Sequence, residues 1–236
     1  MDGIIRRVID RSHLIIDADD TLWENNIYFE QAFERFLDFL DHSHLEPPQI
    51  RAIFDEMEIA NIRVNGYGAA NFARNLTQCY RHLVERDIEE KDIEHVLSLG
   101  QHILEAPIEL LPGVRETLAE LADRHELTLF TKGDPEEQRL KVERSGIGHF
   151  FAHTAIVREK HAPAYHSLVS ERGMNREVAW MIGNSPKSDI NPALEAGLGA
   201  VFIPHERTWS LEHQELRQDA PRLVVLEKFA DLRRLF

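Results

Sequence analysis

The sequence of 236 residues contains a single cysteine, Cys79. One cysteine excludes a disulfide within the chain and fits the reducing environment of the cytoplasm. No apolar stretch approaches the roughly 20 residues that a membrane-spanning helix needs. Residues 1–11 are charged throughout and lack the form of a signal peptide. These absences predict a cytoplasmic protein without a membrane partner.

Basic residues are also scarce, since 27 lysines and arginines stand against 41 aspartates and glutamates. The net charge of -14 argues against nucleic acid as a partner, because no basic stripe could neutralise the phosphates of a duplex. A small anionic ligand fits only where local cations or a metal overcome this negative field. The ordinary apolar fraction of 43% and the chain length predict a globular protein of one or two domains.

The chain contains two kinds of hydrophobic pattern. Between residues 23 and 107, apolar side chains recur at helical spacing, which predicts a helical bundle of about four elements. From Leu111 onward, helical patterns alternate with short apolar runs, and the run at residues 14–16 resembles them. We therefore predict an α/β fold, a Rossmann-like doubly wound parallel sheet formed by residues 1–22 and 108–236. The helical segment 23–107 would be inserted as a cap over the carboxyl edge of the sheet.

The first apolar run ends in a cluster of aspartates. Asp17 and Asp19 are two residues apart, so in a strand their side chains would project to the same side. Two crowded carboxylates need a cation or a shared proton, which favours a chemical site. An Asx turn or a helix cap explains the same cluster about as well when it is taken alone.

Polar residues follow two further strands. Thr131 and Lys132 precede a helix start marked by Asp134 and Pro135, and the free N–H groups of a helix start favour an anion such as phosphate. A simple helix cap is the alternative. A later apolar run ends at Gly183 and is followed by Asn184 and Asp189, whose oxygen atoms suit Mg²⁺. Lys160, after another strand, is a weak signal by itself.

Taken together, these residues resemble the motifs of the haloacid dehalogenase (HAD) superfamily, in its branch with a helical cap after the first strand. Residues 17–21 match Asp-x-Asp-x-Thr, and Thr131 matches the Thr or Ser that closes a strand. Lys160 matches the motif lysine, and residues 183–189 match Gly-Asp-Ser-x-x-x-Asp. The resemblance covers nearly the whole chain, and four motifs in the correct order are specific.

The resemblance implies a phosphatase that forms an aspartyl-phosphate. In it, Asp17 is the nucleophile, and Asp19 is the general acid and base. Thr131 and Lys160 hold the phosphoryl oxygens. The cofactor would be Mg²⁺, with these ligands: Asp17, the Asp19 carbonyl oxygen, Asn184 and Asp189. Asn65 and Tyr67, in the cap, are candidates for substrate contacts.

Two departures from the motifs keep alternatives open. Position 184 holds Asn where Asp is usual, which removes one negative charge and raises the alternative of a binding or regulatory protein with little turnover. Position 20 holds Asp where Gly is common, and Asp20 should face away from the metal. Dehalogenation is disfavoured because a leaving halide needs no proton from Asp19, whereas a phosphomutase would retain both aspartates. The motifs predict a small phosphorylated metabolite as the substrate but do not identify it, and oligomeric state is open.

Overall fold

A computed structural model of the chain describes residues 11–42, 44–217 and 219–236. The described residues form two compact units. The first comprises the described residues up to Asn26 together with Ile108–Phe236, and the second is Ile27–Pro107. The charged segment at residues 1–10, on which the signal-peptide argument rests, lies outside the described residues. No helix in the described part of the chain has both the length and the apolar character needed to cross a membrane.

Among the described residues of the first unit, six strands form one sheet in which each neighbouring pair is parallel. Their order across the sheet is β3-β2-β1-β4-β5-β6. The strands are β1 (His13–Ile16), β2 (Glu126–Lys132), β3 (His153–Val157), β4 (Ala179–Gly183), β5 (Gly199–Phe202) and β6 (Leu223–Val225). The order reverses beside β1, and such a switch point is where open parallel sheets bind ligands.

The described residues of the second unit form four helices around an aromatic core. They are α1 (Asn26–Leu40, whose first residue belongs to the first unit), α2 (Pro47–Asn65), α3 (Ala69–Leu83) and α4 (Glu90–Glu105). The buried side chains of this core include Phe33, Phe36, Phe54, Leu76, Cys79, Tyr80, Val96 and Leu99. These residues repeat at helical spacing, so the apolar stripe in the sequence corresponds to the core of this unit.

The remaining helices cover both faces of the sheet. They are α5 (Val114–Ala122), α6 (Pro135–Ser145), α7 (Ala162–Arg172), α8 (Asn191–Glu195) and α9 (Leu232–Leu235). Leu14 and Ile16 of β1 pack in a cluster with residues of α5 and α9, whereas Ile15 packs in a second cluster with α7 and α8. The predicted α/β class with a doubly covered parallel sheet is confirmed. The position of the helical unit as a cap stays a prediction.

The boundary between the units differs from the expected one at residue 23. Trp23 is fully buried in the same cluster as Leu14 and Ile16, so it belongs to the first unit. The two connecting segments pair with each other there, because the Glu24 N–H donates to the Glu109 carbonyl at 2.9 Å. The helical pattern of the sequence did not reveal this pairing.

Candidate active site

Asp17 follows β1 directly, and its N–H donates to the carbonyl of Ile182 at 2.9 Å. Asp17 is 7% exposed, and its carboxylate accepts hydrogen bonds from the ammonium of Lys160 and from the hydroxyl of Thr21, the latter at 2.9 Å. Burial and the negative charge of Asp189 raise the pKa of Asp17 to about 7, although Lys160 opposes the shift. Asp17 is therefore a buried carboxyl group with a cation beside it.

Lys160 joins two buried carboxylates. Its Nζ donates to Asp17 and to Asp189 Oδ1, the second at 2.7 Å, and its side chain is 1% exposed. Burial by itself lowers the pKa of Lys160, but the two carboxylates outweigh this effect and the net shift is upward. The ammonium therefore stays charged between Asp17 and Asp189.

The turn after β4 places Asp189 at this site. β4 ends at Gly183, and residues Pro186–Ile190 form one π-helical turn. A Cβ atom at position 183 would overlap the Asp189 carboxylate, so only glycine leaves room for it. The N–H of Ser185 donates to Asp189 Oδ2 at 3.0 Å, and the Tyr165 hydroxyl donates to the Ser188 carbonyl at 2.8 Å. Burial raises the pKa of Asp189.

Asn184 and Thr131 lie at the same edge of the sheet. Asn184 is 5% exposed, and its Oδ1 lies 3.2 Å from the Thr21 hydroxyl that also contacts Asp17. Thr131 is buried near the end of β2, which pairs with β1 up to Ile16. The carboxyl ends of parallel strands meet at one edge, and this brings the residues of three motifs together.

A family model of the haloacid dehalogenase-like hydrolases matches residues 12–197. This chain belongs to that family. A solved haloacid dehalogenase-like family hydrolase from Xanthomonas campestris is 30% identical, with a TM-score of 0.84, over 98% of this chain and 94% of that one. An L-2-haloacid dehalogenase structure from Xanthobacter autotrophicus has a TM-score of 0.65 at 16% identity, over 95% of this chain and 98% of that one, which shows a shared fold alone.

Two curated relatives are phosphatases. The glyceraldehyde 3-phosphate phosphatase of Pyrococcus abyssi is 25% identical over 198 residues, which are 81% of each chain. The phosphoserine phosphatase of Thermus thermophilus is 30% identical over 133 residues, which are 54% of this chain and half of that one. The family and its phosphatase members agree with the resemblance seen in the motifs.

The second aspartate of this hydrolase has partners that sequence reasoning missed. Trp23 Nε1 donates to Asp19 Oδ1 and Gln138 Nε2 to Asp19 Oδ2, both at 2.8 Å, and the Lys141 ammonium lies 3.1 Å from Oδ2. Gln138 and Lys141 stand three residues apart on α6, so their spacing on a helix that follows β2 was the available signal. These donors fix the position of the Asp19 carboxylate.

Lys132 was predicted to bind phosphate, but its ammonium already has partners within the protein. Its Nζ donates to Ser188 Oγ at 3.0 Å and to the buried carboxylate of Glu212. Burial alone would raise the pKa of Glu212, but Lys132 and the neighbouring hydroxyls hold it at about 2. Glu212 Oε2 also accepts a hydrogen bond from Ser185 Oγ at 2.5 Å. The pair therefore anchors the turn that carries Asp189.

Asp20 has different partners from Asp17. It adopts a left-handed backbone conformation with a φ of 58°, and its carboxylate accepts the N–H groups of Asn25 and Asn26 at 2.9 and 3.1 Å. Potential metal-ligating atoms of Asp20, Glu24 and His205 lie within 4.8 Å of one another. This cluster does not include Asp17 or Asp189.

Asn65 and Tyr67 belong to the second unit. Asn65 is the last residue of α2, and Tyr67 lies in the connection to α3. The side chain of Asn71 donates to the Tyr67 carbonyl at 3.3 Å. Their predicted contact with substrate stays a prediction.

Oxygen atoms dominate the site, and this chemistry fits Mg²⁺. Asp17 and Asp189 contribute carboxylates, and Asn184 contributes a carbonyl oxygen beside the same Thr21 hydroxyl. Hard oxygen ligands are those that Mg²⁺ prefers. Lys160 is the cation that the described residues place between the two carboxylates, which leaves negative charge for a divalent ion to neutralise.

Proposed function

We propose that this hydrolase is a Mg²⁺-dependent phosphatase that acts on a small phosphorylated metabolite through an aspartyl-phosphate. The observation that carries the proposal is the Asp17 carboxylate, which is buried and accepts a hydrogen bond from Lys160. Asp19, two residues later, accepts hydrogen bonds from a different set of donors. The relatives named as phosphatases of glyceraldehyde 3-phosphate and phosphoserine support phosphoryl chemistry.

The reaction would proceed in two steps. An oxygen of Asp17 attacks phosphorus, the ester P–O bond breaks, and protonated Asp19 gives its proton to the leaving oxygen. Asp19 then takes a proton from water, whose oxygen attacks the phosphorus of the aspartyl-phosphate and releases Asp17 and inorganic phosphate. The ammonium of Lys160 lowers the repulsion between Asp17 and the incoming phosphoryl group, and the Thr131 hydroxyl binds a phosphoryl oxygen.

Mg²⁺ would be held by Asp17, Asp189, Asn184 and the main-chain carbonyl of Asp19. When bound, it supplies positive charge that stabilises the phosphoryl group in the transition state. Because Lys132 is paired with Glu212, we propose that it supports the 183–190 turn and does not contact the phosphate.

The environment of Asp19 favours phosphatase over dehalogenase chemistry. A departing halide needs no proton, whereas a departing alkoxide does, so only the phosphatase reaction uses a positioned carboxyl group at this point. Three side chains converge on Asp19: Trp23, Gln138 and Lys141. These side chains hold the carboxyl group of Asp19 in one position, which supports a catalytic role for this residue.

We further propose that the helical unit acts as the cap, and that Asn65 and Tyr67 contact the part of the substrate beyond the phosphate. Closure of such a unit would exclude water other than the attacking molecule. The substrate would be a small molecule, because the enzyme must enclose it for each turnover.

The test measures phosphate release from an activated aryl phosphate and from a panel of phosphorylated metabolites, with Mg²⁺ and with a chelator. We expect metal-dependent turnover in the wild type and a loss of about 10³-fold or more in Asp17→Asn, since the nucleophile is removed. The exposed Asp123→Asn is the matched control and should keep wild-type activity. A wild-type protein that releases no more phosphate than Asp17→Asn would refute the proposal and favour a binding role.

A further inference from the structure

Asn184 has two chemically different ends. Its Oδ1 can bind a cation, whereas its Nδ2 carries two protons and cannot. A carboxylate at this position would present an oxygen in either orientation. The substitution of Asn for Asp therefore makes metal binding depend on which way the amide is turned.

The hydrogen bonds of Thr208 decide this orientation. Its hydroxyl lies 3.0 Å from the carbonyl oxygen of His205, which accepts hydrogen bonds but cannot donate them. The Thr208 hydroxyl must therefore donate its one proton to the His205 carbonyl. The hydroxyl also lies 3.0 Å from the Asn184 amide, so the atom of Asn184 that faces it must be the donor, Nδ2.

At the other end of the Asn184 amide, the contact with Thr21 is compatible with both orientations of the amide. The Thr21 hydroxyl can donate to Asp17 Oδ2 at 2.9 Å while accepting from an amide nitrogen, or it can share its proton with an amide oxygen at 3.2 Å. Both arrangements satisfy Thr21. Among the contacts of Asn184 with the described residues, the one with Thr208 therefore fixes the amide oxygen toward Thr21, whose hydroxyl also contacts Asp17.

We propose that Thr208 is a positioning residue, which holds the carbonyl oxygen of Asn184 toward a bound divalent cation. The inference rests on the proposed function, because it takes Asn184 as a metal ligand. Thr208 belongs to the segment between β5 and β6, which also contributes Glu212 to the pair with Lys132. This segment therefore supports the 183–190 turn through two side chains.

The experiment titrates Mg²⁺, and Mn²⁺ in parallel, into the full chain by calorimetry, so that the readout is metal affinity and not turnover. Thr208→Val keeps the shape of the side chain but removes the acceptor, and we expect about tenfold weaker binding, as is typical when a partner of a metal ligand is lost. Thr208→Ser keeps the hydroxyl and should bind within about threefold of the wild type. Thermal unfolding in a chelator shows whether both variants are folded.

A second background separates orientation from general structural damage. Asn184→Asp should bind Mg²⁺ more tightly than the wild type, because it adds a negative charge. In that background Thr208→Val should cost less than about threefold, because a carboxylate needs no partner to turn an oxygen inward. A merely structural role of Thr208 would give the same loss in both backgrounds.

The outcomes are distinct. A folded Thr208→Val protein that binds metal as tightly as the wild type overturns the inference, as does an equal loss in the Asn184→Asp background. A wild-type protein that binds neither Mg²⁺ nor Mn²⁺ overturns the proposed function itself, and this inference with it. A tenfold loss that disappears in the Asn184→Asp background supports both.

Discussion

Lys160 places one positive charge between two buried carboxylates. Its ammonium contacts Asp17 and Asp189, and all three side chains are nearly inaccessible to solvent. Burial of a single carboxylate is costly, and burial of two neighbouring ones is more so. Before substrate binds, one lysine therefore neutralises part of the negative charge of these carboxylates, and it is also placed to receive the charge of a phosphoryl group.

Removal of this lysine should destabilise the fold as well as the reaction. Lys160→Met leaves Asp17 and Asp189 without their cation, and the loss of one partner of a buried ion pair costs about 3–5 kcal/mol. Urea unfolding at neutral pH in a chelator measures the effect. Lys228→Met removes the same charge from an exposed site and should change the stability little. A loss below about 1 kcal/mol for Lys160→Met would contradict this account.

At the scale of elements, helix α2 buries the carboxyl group of Glu58. Glu58 is 7% exposed, and burial raises its pKa from 4.5 to about 7. The neighbouring charges are Asp55, Arg51 and Glu30, and Arg51 is paired with both acids. The charge of Arg51 is thus shared with two other carboxylates, and Glu58 is more stable in its neutral form.

This burial predicts how stability depends on pH. Because the pKa of Glu58 is higher in the folded than in the unfolded chain, the folded state holds the proton more tightly. Its stability should therefore fall as the pH rises from about 4.5 to about 7, by on the order of 3 kcal/mol. Glu58→Gln should match the wild type at the acid end and exceed it above pH 7, since the amide carries no charge.

Denaturant unfolding at several pH values, with the difference between variant and wild type as the readout, measures this prediction. Glu56→Gln is the matched control, because Glu56 is exposed on the same helix. Its difference from the wild type should stay flat. A Glu58→Gln difference that is equally flat would show that the carboxyl group is solvated in solution.

At the scale of the whole molecule, the two connections to the helical unit lie side by side. Trp23 and Leu110 form an antiparallel bridge, and the Leu111 N–H donates to the Leu22 carbonyl at 2.9 Å. The buried clusters on both faces of the sheet consist of residues of the first unit only. The sheet unit therefore has a core of its own, and the two segments that connect it to the helical unit are joined by backbone hydrogen bonds.

This arrangement predicts that the helical unit can be removed. A protein in which a short Gly-Ser linker joins Asn26 to Ile108 should fold cooperatively, because no buried cluster of the sheet loses a member. Thermal unfolding followed by circular dichroism measures this. The same linker in place of α6 is the control and should abolish folding, since α6 belongs to this unit and carries the buried Gln138. A non-cooperative transition in the first variant would show that the sheet depends on the helical unit.

Much of the fold and part of the site could be predicted because their signals are local. The run at residues 14–16 is buried on both faces of the sheet, and such strands read as continuous apolar segments. Asp134 and Pro135 marked the start of α6, where the Asp134 carboxylate accepts the N–H groups of Glu136 and Glu137 at 3.0 Å. Trp23 was misassigned because its burial depends on pairing with a segment far along the chain.

The sequence by itself determined a parallel sheet with acidic and amide residues after its strands, and parallel strands necessarily bring those ends to one edge. Only the tertiary structure decided which side chains pair there. Lys132 with Glu212, Lys141 with Asp19 and Asn184 with Thr208 are separated by 80, 122 and 24 positions. Such pairs depend on the path of irregular segments, which carry no periodic signal, and so the partners that orient the site could be found only in the folded chain.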